Sequence, residues 1–303
     1  MPLENDLLIS TSNQVLRLAL TGQPVGPGDQ TILAVVASGQ GLYYGLAPDD
    51  HGGVWAAARR SRVSDALPAE AEEGQLLPLS AQTEQTVAQP PRPLRDLHDI
   101  AIQRGALWSV CSYDDTIGIY SLAQQTWSWW QPLATDPLGG PDQFHLNTLY
   151  FEEELVWVLA HRRGPSWLMA FPVEAALQGE AIEPVHKIEL GEQAHNIWRQ
   201  SDGELCTCSS IEGLLLGERG WRLETGGFPR GVAKLPDGWV VGISELKERR
   251  ERDFSDARLR FYDHNWEQTH EITLPGVGMV LDLLPIPRSQ SLPNVGTLPA
   301  VVN

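Results

Sequence analysis

Apolar and polar positions alternate along this chain in short runs rich in Val, Ile, Leu and aromatic residues, each closed by Gly, Pro, Asp or Asn. Period-two alternation between turn residues predicts strands, and runs this short predict many of them. Helix-forming composition is confined to Val173–Leu177, which predicts a single turn.

The strand pattern repeats. A polar residue opens a short apolar run, a turn with Gly or acidic residues follows, then a second apolar run and small polar residues. The clearest copies are HDIAIQRGALWSVCS from His98, HNIWRQSDGELCTCSS from His195 and RGVAKLPDGWVVGIS from Arg230. Looser copies begin at Tyr44 (YGLAPDDHGGVWAAAR) and at His145 (HLNTLYFEEELVWVLAH), where either His145 or Asn147 fills the opening position. A last partial unit, GVGMVLDLLP, spans Gly276 to Pro285. Repetition at blade-like intervals predicts an all-β, six-bladed β-propeller. The last unit lacks its outer strands, and the runs Leu7–Ser10 and Gln14–Leu18 have no unit of their own. We expect these N-terminal strands to complete the last blade and close the ring, leaving no exposed edge. Residues 1–303 then form a single domain, with an irregular insertion at 61–95 between blades one and two and a C-terminal tail at 286–303. The dense charges of 245–253 read as a solvated loop or a lid over the channel mouth.

In a propeller the start of each inner strand and the end of each second strand meet at one mouth of the channel. That places Tyr44, His98, His145, Asn147, His195 and Arg230 there, with Arg59, Ser112, His161, Ser210 and Glu245. Imidazoles converging from separate strands suit a divalent transition metal, Zn, Fe or Mn. His98, His145 and His195 are the candidate ligands and His161 a secondary one. His98, His195 and Arg230 are the candidate catalytic residues, the guanidinium suiting a carboxylate or phosphate. Tyr44, Arg59, Asn147 and Glu245 are candidate substrate-binding residues. Asp99 or Glu245 would fix a histidine tautomer. The competing reading has the same histidines bonding a neighbouring blade's backbone and Arg230 plugging the channel.

Trp108, Trp157 and Trp239 occupy packing positions in the repeat, whereas Trp127, Trp129 and Trp130 alternate partly outward. No Gly-rich phosphate loop, GxSxG elbow or HExxH helix is present.

The run of HDIA, HLNTL, HNIW and PRGVA motifs, followed by VVGISELKERRERDF, resembles an uncharacterised bacterial six-bladed propeller family of unknown function. The resemblance covers about Asp96 to Pro285 and implies the fold and a shared set of mouth residues: His98, His145, Asn147, His195 and Arg230. Ala194 stands where that family has proline.

A net charge of −17 disfavours nucleic acid and anionic membrane as partners. The three cysteines lack a CxxC spacing, and the N-terminus carries no leader-like pattern, so we expect a cytoplasmic protein. Two functions fit: a small-molecule site, metal-dependent and of lyase or hydrolase type, or a non-catalytic propeller that binds a protein partner.

Overall fold

The computed structural model describes residues 5–20, 30–65, 67–80, 87–162 and 164–302. In chain order the strands are β1 (Asn5–Thr11), β2 (Gln14–Ala19), β3 (Gln30–Ser38), β4 (Tyr43–Pro48), β5 (Val54–Ala58), β6 (Gln75–Pro78), β7 (Leu97–Gln103) and β8 (Ala106–Cys111). Then come β9 (Thr116–Ser121), β10 (Thr126–Trp130), β11 (Leu146–Glu152), β12 (Leu155–His161), β13 (Pro165–Pro172), the five-residue helix α1 (Val173–Leu177), β14 (His186–Glu192), β15 (Ala194–Arg199) and β16 (Leu205–Ser209). The rest are β17 (Leu214–Gly217), β18 (Arg222–Glu224), β19 (Phe228–Leu235), β20 (Gly238–Ser244), β21 (Ala257–Tyr262), β22 (Gln268–Leu274), β23 (Val280–Pro287) and β24 (Gly296–Val302). The fold is all-β and propeller-like, and α1 is the expected single turn. No helix among the described residues is long and apolar enough to cross a membrane.

Contacts divide the chain into two compact units. One comprises residues 1–67, 77–84 and 230–303; the other comprises 68–76 and 85–229. The second unit, hereafter the histidine unit, holds three four-stranded meanders: β7 to β10, β11 to β14 and β15 to β18. Their hairpins follow local chemistry. Arg104 and Gly105 both take positive φ (56° and 70°), the two-residue turn whose twist matches paired strands. Each strand then alternates between neighbouring sheets. Trp108, Val110 and Trp130 pack with Val156, Val158 and Phe171 in one core. Trp157 and Leu159 pack with Leu168, Ile197 and Leu205 in the next.

In the first unit β19 to β22 and the set β23, β1, β2, β3 form two meanders. β1 pairs antiparallel with β23 from Asn5↔Pro287 to Thr11↔Val280, so the N-terminal strands lie beside the strand of the last repeat. The segment after Pro285 is more than a tail. β24 pairs with β3 from Gly296↔Val35 onward and with β22 at Ile272↔Val302, joining the two meanders into one nine-stranded sheet. The stretch 61–95 is likewise not wholly irregular. It contains 3-10 turns at Val63–Asp65 and Ala69–Ala71, and β6, the third strand of the β4–β5–β6 sheet. Position 66 and positions 81–86 of that insertion lie outside the described residues. Charged and turn-rich sequence around Gln75–Pro78 masks a strand that only its partner defines.

The small polar residues after the second strands join sheet to sheet. Within the histidine unit, Ser112 Oγ donates to the Leu146 carbonyl and Ser210 Oγ to Pro229 O at 2.7 Å. Within the other unit, Ser10 Oγ donates to Tyr44 O, and Ser244 Oγ accepts from Val280 N at 3.0 Å. A second set of bonds starts from the inner strands. Asp99 Oδ2 accepts from Leu149 N, and Thr148 Oγ1 accepts from Asn196 N (2.8 and 3.1 Å). In the first unit Asp282 Oδ2 accepts from Leu46 N at 2.9 Å. These bonds fix how the start of one inner strand is placed against the next.

Candidate functional site

His98 sits in β7 at a register shift between Leu97 and Asp99, and Asn147 in β11 at an equivalent shift between Leu146 and Thr148. Such a bulge re-aims the side chain it carries. Asn147 therefore holds the opening position of its repeat. His145 precedes β11, held by a left-handed backbone (φ 47°). The turn before it is tied down by Asp115, whose carboxylate accepts from Gln143 N and Phe144 N at 2.6 and 2.9 Å. Burial still raises the Asp115 pKa despite those donors.

Four imidazoles of this unit stand in file. Ring centroids are 4.7 Å apart for His98 and His145, 4.6 Å for His145 and His161, and 5.7 Å for His161 and His195. His98, His161 and His195 are buried, and Asn147 lies beside His161, Nδ2 to Nε2 at 3.4 Å.

Partners set the tautomers. The Ser112 hydroxyl gives its proton to Leu146 O, so its oxygen faces His98 Nδ1 as an acceptor at 2.8 Å, and Asp96 O faces the same nitrogen at 2.8 Å. Two acceptors require Nδ1–H and leave the lone pair on Nε2. Ser210 does the same for His195: its proton goes to Pro229 O, and its oxygen meets Nδ1 at 2.7 Å. For His145 the acceptor is Asp142 Oδ1, at 2.7 Å from Nδ1. In the neutral ring these three histidines therefore carry the proton on Nδ1 and the lone pair on Nε2, the tautomer a metal ligand at Nε2 needs.

Ligand atoms of Asp96, His98 and His145 all lie within 4.8 Å of one another. Donors about 2.1 Å from one ion stand about 3.4 Å apart in a tetrahedral site, so side chains whose ligand atoms are up to 4.8 Å apart must close by up to about 1.4 Å to share an ion. Two imidazoles and one carboxylate suit Zn or Fe(II). His195, expected as the third ligand, is not in this group; His161 and its own Ser210 bond separate it from His145. Asp96 was not singled out in the sequence, although it stands two residues before His98 and its left-handed backbone (φ 51°) turns the chain into β7. Asp142, in the turn before His145, was also missed.

Asp99, expected to fix a tautomer, instead accepts from Ile100 N and Leu149 N (both 2.8 Å) and holds backbone to backbone. Glu245, the other candidate for that role, lies in the first unit, exposed and paired with Lys247 at 3.2 Å. Tyr44, Arg59 and Arg230 also lie in the first unit. There the two guanidinium carbons stand 5.5 Å (Arg59) and 6.0 Å (Arg230) from the Tyr44 ring centroid. Burial lowers the Arg230 pKa, partly offset by Tyr44, while Arg252 and Arg59 lower it further.

Trp108, Trp157 and Trp239 are buried. Trp127 and Trp129 stack at 5.9 Å, with Arg92 3.5 Å above Trp129. The 3-10 turn Arg249–Phe254 in the charged loop is anchored by buried Asp253, which accepts from Ser64 N at 2.7 Å.

No protein-family model matches the chain, and no curated protein matches it in sequence. Solved structures do resemble it. A chain of the nidogen/laminin complex aligns with a TM-score of 0.59 at 10% identity, covering 95% of this chain and 100% of its own. A protein of unknown function from Bacteroides caccae gives 0.59 at 11% identity, covering 94% and 99%. An inactive virginiamycin B lyase from Staphylococcus aureus with quinupristin gives 0.46 at 11% identity, covering 91% and 100%. The first two share with this chain its all-β, propeller-like fold.

Proposed function

We propose that the chain is a cytoplasmic six-bladed propeller whose histidine unit binds a small molecule, with Asp96, His98 and His145 holding a divalent transition metal. The observation that carries this reading is the common tautomer. His98 and His145 each have an acceptor at Nδ1 that, in the neutral ring, leaves the lone pair on Nε2, and their ligand atoms lie within 4.8 Å of each other and of the Asp96 carboxylate. A metal held there supplies a Lewis acid that polarises a carbonyl or acidifies a bound water. His195, oriented by Ser210, acts as general acid or base in a lyase or hydrolase type of reaction. His161 and Asn147 lie between the two groups and orient the substrate. The pairing of β1 with β23 supports the blade count.

The test is metal analysis of protein purified without a histidine tag and reloaded with Zn, Mn or Fe(II). About one equivalent is expected, falling below about a tenth in Asp96→Asn and His145→Asn, both residues that tolerate the left-handed backbone. Failure of the wild type to retain any of the three overturns the proposal. The second reading is a non-catalytic, protein-binding propeller, favoured by the serine bonds that tie His98 and His195 into the sheet contacts. It predicts no retained metal and unchanged folding in Asp96→Asn.

A further inference from the structure

Beside the imidazole file, and within the same unit, lies a cavity of about 340 Å³. Its wall is largely carbon, from Leu133, Phe144, Trp167 and Met169. Phe144 adjoins His145 in the chain, and buried His161, third in the file, is itself part of the lining. Three exposed charged residues, Arg162, Lys187 and Glu189, complete the opening, two cations to one anion. The Lys187 ammonium lies 4.3 Å from the Trp167 ring centroid, which fixes a positive charge at the mouth of an apolar chamber. A cavity of this size, apolar with a few convergent polar groups, is the usual form of a small-ligand site.

We propose that this cavity binds a small molecule with a ring-sized apolar body and one carboxylate. The body lies against Phe144, Trp167 and Met169, the carboxylate lies at Arg162 and Lys187, and His161 faces the ligand from the buried end. The proposal names the substrate class for the histidine site and rests on that reading only in its link through His161; binding itself needs no metal. The cavity drew no attention in the sequence because Leu133, Phe144, Trp167 and Lys187 come from four separate segments.

The experiment is calorimetric titration of full-length protein with indole-3-acetate, and with neutral indole-3-acetamide as its uncharged counterpart. Saturable one-to-one binding of the acid is expected, with the amide weaker by about two- to fivefold, the range of an exposed ion pair. Lys187→Glu should remove that preference, and Trp167→Ala should weaken the acid about tenfold or more. A variant that fills the chamber guards against misfolding: a Cβ at Gly164, another lining residue, meets nothing within 4 Å, so Gly164→Phe should fold and fail to bind. Absence of saturable binding by the wild type, or equal binding by wild type and Gly164→Phe, overturns the proposal. Asp96→Asn separates the two claims. Retained carboxylate binding there, with no metal in the wild type, sinks the metal reading and leaves this one standing.

Discussion

Replacing Ser112 with alanine removes one oxygen at the junction of two sheets and one histidine. Ser112 is fully buried; its hydroxyl donates to the Leu146 carbonyl, and its oxygen accepts from His98 Nδ1. The variant loses both bonds. His98 keeps the Asp96 carbonyl at 2.8 Å, so the larger cost is the Leu146 carbonyl left in the interior. A buried group stripped of its partner costs about 1–3 kcal/mol, and that is the expected destabilisation of Ser112→Ala. Ser210→Ala should cost at least as much, because it removes the 2.7 Å bond to His195 Nδ1 and the 2.7 Å bond to Pro229 O together. Scanning calorimetry reads both, against Ser128→Ala as control. Ser128 lies exposed on outer strand β10 with a 3.4 Å contact to Ile119 O, and its loss should stay within about 0.5 kcal/mol. A Ser112→Ala variant within about 0.5 kcal/mol of the wild type would refute the claim that these serines tie the sheets together.

Three further outcomes follow from particular residues. Burial pushes the Asp282 carboxyl up to about 7 from its ordinary 3.8, against the pull of the Leu46 and Leu283 N–H groups. The folded chain therefore keeps a proton that the unfolded chain releases near 3.8, so unfolding free energy from this group should fall as pH rises from about 4 to about 7 and then level off; pH-dependent denaturation should show that slope, and Asp282→Asn should flatten it. Gly238 has φ +148°, and a Cβ there would lie 1.9 Å from Tyr262 O, so Gly238→Ala should lose more than about 3 kcal/mol in the same assay. The Cys111 and Cys206 thiols are buried and pushed up to about 12, and Cys208 is buried as well; a thiol reagent at pH 8 should therefore titrate no cysteine in the native protein and all three after denaturation.

Much of the fold was written in the chain. Alternation and turn residues located the hairpins that begin at His98, His195 and Arg230, and the unattached apolar runs at Leu7 and Gln14 pointed to their pairing with the last repeat, because strand period and turn chemistry are local properties. Position within the repeat likewise marked His98 and His195 as strand-opening residues and Ser112 and Ser210 as strand ends, and left the third opening between His145 and Asn147, which the bulge at Asn147 settled. Contacts between separate strands were not legible. Neither β6 nor β24 stands out from its own residues, since each is a strand only by virtue of its partners. Asp96, not His195, joins His98 and His145, because which side chains share a few ångströms depends on bulges and left-handed turns that shift register by single residues. The sequence by itself therefore determined the strands, their repetition and the residue types at their ends. Tertiary structure decided which imidazoles meet, which nitrogen each presents, and that an apolar chamber opens beside His161, because those depend on atoms brought together from segments far apart in the chain.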